Sequence, residues 1–193
     1  IAHSQNGDYF EKILSKPLFI AEQNSAPVAR GTAHHKFLQY CNFEQARASL
    51  DTEIDRLLND GKLTQEQVDM IDRKTLNEFL STKLIDRIIA SQLVMREKRF
   101  TARLKPSDVF DEYKGVKTDV TVIIQGAVDL AFVEDGKLVI VDYKTDRVKD
   151  ITKLAGLYKK QLYLYKSAME QSEELTVKEC ILCSIHLGAY ITV

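Results

Sequence analysis

The chain has 193 residues, 45% of them hydrophobic, so it can bury one sizeable core, and one domain with an elaboration is favoured over two. Its 27 basic and 28 acidic side chains leave a formal net charge of −1, which excludes an overall basic field. No apolar run reaches the roughly 18 residues that a membrane-spanning helix requires, and we expect no membrane partner.

The start of the chain and its cysteines indicate the cellular context. The chain begins with Ile1 and shows no secretory pattern, so we expect a piece of a longer polypeptide. Three cysteines cannot form a complete disulfide framework, which favours a reducing cytoplasmic setting. Cys180 and Cys183 form a C-x-x-C in an expected strand over 177–185, and Cys41 is the third. Four cysteine ligands are therefore not available, and we expect buried thiols and no iron–sulfur cluster.

The first half of the chain has a helical pattern. Residues 1–30 are mixed, with a loop expected at 24–27. A helix is expected to begin at Gly31-Thr32, with Thr32 as its N-cap. Residues 44–93 then carry helical apolar periodicity, which predicts a helical insertion before the sheet. Within it, Thr64 and Gln67 have the spacing of a capping box.

The second half alternates strand and helix patterns. In chain order, we expect a strand over 96–104, a loop over 106–117, a hairpin over 120–143, an amphipathic helix over 154–170, and strands over 177–185 and 190–193. No G-x-x-x-x-G-K-[ST] pattern occurs, so we expect this chain not to bind ATP.

The hairpin carries the most informative residues. Asp135-Gly136 is the dipeptide of a two-residue turn, and such a turn determines the strand register. Counting outward from it places Asp129 opposite Asp142. Because side chains alternate with period two, Lys144 should share the face of Asp142.

This pair of carboxylates predicts a metal site. Like charges directly opposite one another destabilise a sheet, so the pair requires a cation. Hard oxygen ligands suit Mg²⁺, with Mn²⁺ as a substitute. The alternative is that Asp129 and Asp142 are solvated residues neutralised by Lys144.

Two further features adjoin this hairpin. Helix 154–170 carries Leu154, Tyr158, Gln161 and Tyr165 on one face, which suits either a ligand surface or core packing. Leu157 lies off that face, and we expect it to contribute mainly to core stability. From Tyr143 to Lys166 there are seven basic residues and two acids, as expected where a polyanion binds or along a solvated helix face.

The four histidines differ in their context. His35 lies one turn into the expected first helix and is either a metal ligand or structural, whereas His3, His34 and His186 have no supporting pattern.

In this order, five segments resemble the RecB-type nuclease domain of the PD-(D/E)xK superfamily, most closely the C-terminal nuclease domain of AddA helicase–nucleases. They are Gly31-Thr-Ala-His-His35, Arg96-Glu-Lys-Arg-Phe100, Gly126-Ala-Val-Asp-Leu130, Val141-Asp-Tyr-Lys-Thr145 and Tyr158-Lys-Lys-Gln-Leu-Tyr-Leu-Tyr165. The resemblance implies an α/β, restriction-endonuclease-like fold with a mixed central sheet, flanking helices and a helical insertion.

The resemblance also implies roles for individual residues. His35, Asp129, Asp142 and the Tyr143 carbonyl would bind the metal, and Lys144 would be the catalytic lysine. Gln161 and Tyr165 would correspond to the family's Q-x-x-x-Y and act in catalysis and strand binding. Further contacts with the substrate would come from Tyr158, Thr145 and Arg147.

The resulting expectation is a cytoplasmic, Mg²⁺-dependent DNA exonuclease domain, part of an AddAB- or RecBCD-type helicase–nuclease that acts in double-strand break repair and recombination. Its partners would be DNA, upstream helicase domains of the same chain and a second subunit of the AddB type. Two alternatives remain: an inactive nuclease-like scaffold that binds DNA or a partner, and a stand-alone endonuclease.

Overall fold

The structure is a computed structural model that describes residues 26–116 and 118–193, with side chains from residue 29 onward. The helices are α1 (Ala26–Tyr40), α2 (Phe43–Ala48), α3 (Leu50–Asn59), α4 (Gln65–Met70), α5 (Arg73–Leu80), α6 (Lys83–Ala90), the single turn α7 (Pro106–Val109) and α8 (Ile151–Glu173). The strands are β1 (Val94–Leu104), β2 (Val122–Glu134), β3 (Lys137–Lys144), β4 (Val177–Ser184) and β5 (Ala189–Thr192). No helix in these ranges is long and apolar enough to cross a membrane.

Helix α1 begins earlier than the sequence pattern predicted. It starts at Ala26, so Thr32 lies inside it and is not its N-cap, and the loop expected at 24–27 is wrong for residues 26 and 27. Pro27 explains the difference, because proline is compatible with the first turn of a helix, where its missing N–H has no helical acceptor. The rest of the expectation for residues 1–25 lies outside the described residues.

Helices α2 to α6 occupy residues 43–90. The first four begin at side-chain caps, whereas α6 follows Thr82 without a side-chain cap bond. The Thr64–Gln67 capping box is present in both directions at the start of α4. Arg96 of β1 ties this layer to the sheet, since its guanidinium donates to the carbonyls of Leu38, Gln39 and Cys41 at the end of α1. Carbonyls at the end of a helix lack helical partners, so the arginine satisfies them.

The five strands form one mixed sheet in the order β1-β2-β3-β4-β5. β1, β2 and β3 are antiparallel neighbours, β3 pairs parallel with β4, and β5 returns antiparallel to β4. A parallel pair needs a long crossover connection, and α8 is that connection between β3 and β4. The expected mixed sheet with flanking helices is therefore confirmed.

The hairpin register is the predicted one. Asp135 and Gly136 both have positive φ, 53° and 72°, as a type I′ turn requires. Glu134 pairs with Lys137, and the ladder continues without a shift to its last rung, Leu130 with Val141.

A separate hydrophobic core covers each face of the sheet. One core lies under α1 to α6 and includes Phe132, Val139 and Ile181, whereas the other lies under α8 and includes Ile140 and Leu182. β3 is buried along nearly its whole length because both its faces are covered, which is why its residues form an almost unbroken apolar run.

Two smaller expectations have mixed outcomes. Cys180 and Cys183 are buried, as predicted, and they belong to the cores on opposite faces of the sheet because they are three residues apart on one strand. The segment 106–117 is not wholly irregular, since it contains α7 and a 3₁₀ turn at Asp111–Tyr113.

Candidate active site

The end of the hairpin away from its turn brings the predicted acidic residues together. Beyond the last rung of the ladder, Asp129 and Asp142 occupy opposed positions, and the Asp129 carboxylate accepts a hydrogen bond from the Tyr143 N–H at 2.8 Å. A side chain thus takes the place of a backbone acceptor at this rung. Both carboxylates are almost wholly buried, with exposed fractions of 7% and 2%.

Lys144 lies between Asp142 and α8. Its Nζ is 2.7 Å from Asp142 Oδ2 and donates to Gln161 Oε1 at 3.1 Å. It also lies 4.0 Å from the centre of the Tyr158 ring, a cation–π contact. The lysine is 8% exposed, so its charge is held among fixed groups rather than in solvent.

Gln161 links the lysine to Tyr165. Because an ammonium group can only donate, Gln161 must present its carbonyl oxygen to Lys144, and its Nε2 then donates to the Tyr165 hydroxyl at 2.8 Å. The Tyr165 hydroxyl accepts this bond, so its own hydrogen is available for another acceptor. Burial raises the pKa of Tyr165, which keeps the hydroxyl protonated.

The helix face predicted on α8 is therefore directed at the site rather than formed of core residues alone. Leu154, Gln161 and Tyr165 are buried on it, and Tyr158 is half-buried with its hydroxyl 3.3 Å from an Asp146 oxygen. Leu157 is 73% exposed, so the expectation that it contributes to core stability is wrong. Buried leucines of α8 that could do so include Leu162 and Leu164.

His35 reaches the same end of the hairpin from α1. Its Nδ1 is 3.4 Å from Asp129 Oδ1, and its ring meets the Tyr143 ring edge-on at 6.1 Å. The side chains of His35, Asp129 and Glu97 can place one ligand atom each within 4.8 Å of one another. Asp142 stands outside this group, with its carboxylate turned to Lys144.

Sequence reasoning did not single out Glu97. It lies opposite Asp129, since Arg96 pairs with Leu130 and Lys98 with Val128. Its φ of 47° is rare for a residue with a side chain. The alternation of side chains along β1 is interrupted at this residue, because Met95 and Phe100, five residues apart, pack against the same core. The only sequence signal was an acid inside the segment 96–100.

The electrostatics of the site favour a bound cation. Burial and the neighbouring Asp129 raise the pKa of Asp142 and Lys144 opposes them, with a net rise to about 6. Asp142 Oδ2 and His35 Nδ1 are buried, and their contacts with Lys144 and Asp129 lack hydrogen-bond geometry, so neither atom has a hydrogen-bond partner among the described residues. Carboxylate oxygens with one imidazole nitrogen are a donor set that Mg²⁺ or Mn²⁺ can use, so these residues fit a divalent ion.

The remaining predicted residues lie beside this cluster. Thr145 follows Lys144 and lies against α1, where a Cβ added to Gly31 would be 2.7 Å from the Thr145 Oγ1. Arg147 is exposed. His34 has a structural role: its ring bonds the Arg30 carbonyl at 2.8 Å and accepts from the Asp72 N–H at 3.1 Å.

The sheet is mixed and flanked by helices, and it carries two opposed aspartates with a lysine two residues after the second of them. Together these features define a nuclease fold. A family model described as the PD-(D/E)XK nuclease superfamily matches residues 9–188, and the chain belongs to this superfamily.

Its curated relatives point to a particular kind of protein within the superfamily. The chain is similar to the AddA subunit of the ATP-dependent helicase/nuclease of Clostridium botulinum strain 657, with 31% identity over 191 residues, covering 96% of this chain and 15% of the relative. The protein of the same name from Clostridium acetobutylicum is 29% identical over 204 residues, covering 99% of this chain and 16% of the relative. The chain thus spans about 15% of the length of the relatives that it matches.

Proposed function

We propose that this chain is a Mg²⁺-dependent DNA exonuclease domain of a helicase–nuclease that acts in double-strand break repair and recombination. The observation that carries the proposal is the buried cluster of Asp129, Asp142 and Lys144, with His35 beside it. Because each buried carboxylate lies in the field of the other, Asp142 is short of positive charge even beside Lys144, and a divalent ion would supply it.

In this proposal Asp129, Asp142 and His35 hold the ion with help from the Tyr143 carbonyl, and Glu97 adds a further carboxylate on the opposite side of Asp129. When bound, Mg²⁺ polarises a non-bridging phosphate oxygen and acidifies a water molecule. Asp142 would hold the ion with the carboxylate that also faces Lys144 at 2.7 Å.

Besides Asp142, the Gln161 carbonyl and the Tyr158 ring hold Lys144 in place. The lysine can then position the attacking water and stabilise the charge that develops on the phosphoryl oxygens. Tyr165, whose hydroxyl accepts from Gln161, has a hydrogen to donate to a phosphate oxygen of the strand. Thr145, Arg147 and the basic stretch of α8 lie beside the site and would contact the strand backbone.

The names of the relatives support the wider assignment. Because they are helicase/nuclease subunits and this chain matches about 15% of their length, we propose that the 193 residues form one nuclease domain, with the helices of residues 44–93 as its insertion. Helicase domains would precede it in a longer chain. A second subunit of the AddB type and a cytoplasmic location belong to the same proposal.

The test is cleavage of linear DNA in Mg²⁺, followed by product length over time with end-labelled substrate. Release of short products from the ends supports an exonuclease, whereas internal cuts in circular DNA indicate an endonuclease. Binding without cleavage at any Mg²⁺ or Mn²⁺ concentration would support the alternative of an inactive scaffold, although the presence of both aspartates and the lysine argues against it.

A further inference from the structure

A small cavity lies beside Thr145, the residue that follows Lys144 of the proposed catalytic cluster (Asp129, Asp142, Lys144 and His35). It has a volume of about 60 Å³ and is lined by Arg30 and His34 of α1, Asp72 before α5, Thr145 and Arg147 after β3, and His186 after β4. About 10–15 Å³ of such space admits one water molecule, so the cavity has room for a tetrahedral oxyanion. Of these residues, Thr145 and Arg147 alone entered the proposed mechanism.

Helix α1 contributes both to the cavity and to the cluster of Asp129, Asp142, Lys144 and His35. Gly31 and His35 are four residues apart and share one face of the helix, where Gly31 lies against Thr145 and His35 lies against Asp129. Arg30 and His34 form the adjoining row of the same helix. Thr145 directly follows Lys144 at the end of β3, so the cavity and the lysine lie one residue apart along the chain.

The walls of the cavity are held in place by hydrogen bonds that do not involve its guanidinium groups. His34 joins α1 to the segment before α5 through both ring nitrogens, since Nδ1 bonds the Arg30 carbonyl and Nε2 accepts from the Asp72 N–H. Among the described residues that line the cavity, Asp72 is the one acid, and its carboxylate accepts from the N–H groups of Lys74 and Thr75. It therefore serves as a helix cap.

Arg30 and Arg147 differ from the arginines of the helical layer. Arg56 and Arg87 each form short ion pairs with two carboxylates, whereas Arg30 and Arg147 form none with any residue of the ranges 26–116 and 118–193. Two guanidinium groups and a hydroxyl around a cavity of this size present the donors that phosphate oxygens accept.

We propose that this cavity is a subsite for one backbone phosphate of the DNA strand, next to the scissile phosphodiester, with Arg30, Arg147 and the Thr145 hydroxyl as its donors. The proposal rests on the proposed nuclease function and adds a second phosphate-binding position beside the cleavage site. The phosphate held here would set the register of the strand, so that the next phosphodiester falls at Lys144 and the metal ligands.

The test is single-turnover cleavage of single-stranded oligonucleotides in which one uncharged methylphosphonate is moved position by position. We expect cleavage by the wild-type chain to slow by about 10-fold or more when the methylphosphonate occupies one position adjacent to the cut. Arg30→Ala and Arg147→Ala should slow cleavage of the unmodified strand by a similar factor and lose the sensitivity at that position. Substrates with phosphorylated and unphosphorylated ends distinguish an internal phosphate from a terminal one.

Arg103→Ala is the matched control, because Arg103 is an exposed arginine far along β1 and should keep the wild-type profile. If Arg30→Ala and Arg147→Ala retain the wild-type sensitivity at every position, the subsite is wrong while the nuclease function stands. If the wild-type chain cuts no DNA, binding in Ca²⁺ tests the cavity separately. Each arginine should then contribute ~0.7 to the slope of log K against log salt, and unchanged slopes would overturn the proposal.

Discussion

The two ends of the β2–β3 hairpin both gather carboxylates, and they differ in how those charges are balanced. At the turn, Glu134 receives two hydrogen bonds from Arg87, at 2.8 and 2.7 Å, and one from Lys178 at 2.7 Å. At the open end, Asp129 and Asp142 are more deeply buried, and Asp142 contacts a single cationic group among the described residues, the ammonium of Lys144.

The pKa values move in opposite directions at the two ends. Hydrogen bonds from Arg87 and Lys178 lower the pKa of Glu134 to about 2, whereas burial and the neighbouring Asp129 raise the pKa of Asp142 to about 6. A carboxylate with enough cations stabilises the fold, and a buried one without enough of them favours the binding of a proton or a metal ion. The difference separates a structural end of the hairpin from a functional one.

Asp142→Ala should have the largest effect and sharpen this contrast. It removes a proposed metal ligand and relieves a like-charge pair, so cleavage should fall by ~10³-fold or more while metal-free stability stays equal or rises slightly. Cleavage assays in Mg²⁺ and thermal melts in EDTA measure both effects. Glu134→Ala is the matched control at the other end, with normal cleavage and lower stability. Substantial activity of Asp142→Ala in Mg²⁺ would contradict the assignment.

Lys144→Ala should lower the single-turnover rate by ~10²–10³-fold, because the lysine acts on the water and the transition state. Metal affinity should hold or increase, since Asp142 loses the partner with which the ion competes. A titration with Mn²⁺ alongside the rate measurement separates the two effects. If affinity collapses in step with the rate, Lys144 serves the metal site rather than the reaction.

Gln161→Ala and Tyr165→Phe test whether the face of α8 belongs to the functional end. Each removes a hydrogen bond in the series from Lys144 to Tyr165, and cleavage should fall by ~10–100-fold with little change in melting temperature. Leu162→Ala is the core control, since Leu162 is 1% exposed and its loss should cost about 2–5 kcal/mol of stability. The reverse pattern, a low melting temperature for Gln161→Ala with normal cleavage, would mean that this face is core packing.

Arg87→Ala tests the structural end. It leaves Glu134 and Glu179 with Lys178 and Thr192 as partners and removes a contact of α6 with the sheet, at a cost of about 1–3 kcal/mol in the free energy of unfolding. Cleavage by the folded protein should be unchanged. Arg47→Ala, which removes an exposed ion pair with Asp86, should cost less than about 1 kcal/mol. If denaturant titrations give the same loss of unfolding free energy for Arg87→Ala and Arg47→Ala, the ion pairs of Arg87 stabilise the fold no more than an exposed pair does.

The pH dependence of stability should have opposite signs at the two ends. The pKa of Asp142 is raised from 3.8 to about 6, so its contribution is most favourable below about pH 4 and is lost as the pH rises through 6. The pKa of Glu134 is lowered from 4.5 to about 2, so its stabilisation is present above about pH 4.5 and is lost as the pH falls towards 2.

Asp142→Asn should therefore be more stable than the wild type at pH 7.5 in EDTA, by roughly 1–3 kcal/mol, and this advantage should vanish by about pH 4. Excess Mg²⁺ should reverse the sign at pH 7.5, because it stabilises the wild type alone. A constant difference between the two proteins across this range would show that Asp142 is not held in a cation-deficient site.

Local chemistry in the sequence was enough for the hairpin and for the face of α8. Asp135-Gly136 specifies a turn through its positive φ angles, and a turn determines the register of the residues on both sides of it. Helical spacing likewise placed Gln161 and Tyr165 together. In both cases the interacting residues are close in the chain, so pattern and geometry coincide.

Contacts between distant segments were decided only by the tertiary structure. Nothing local marks Glu97, because its side chain reaches the site through a left-handed backbone that usually requires glycine. Three features join segments that are far apart in the sequence, where spacing gives no periodic signal. They are the contact between His35 and Asp129, the hydrogen bond between His34 and Asp72, and the cavity around Arg30 and Arg147. The chemistry of the hairpin follows from the sequence, whereas the surrounding groups follow from how α1, β1 and the helical layer pack onto it.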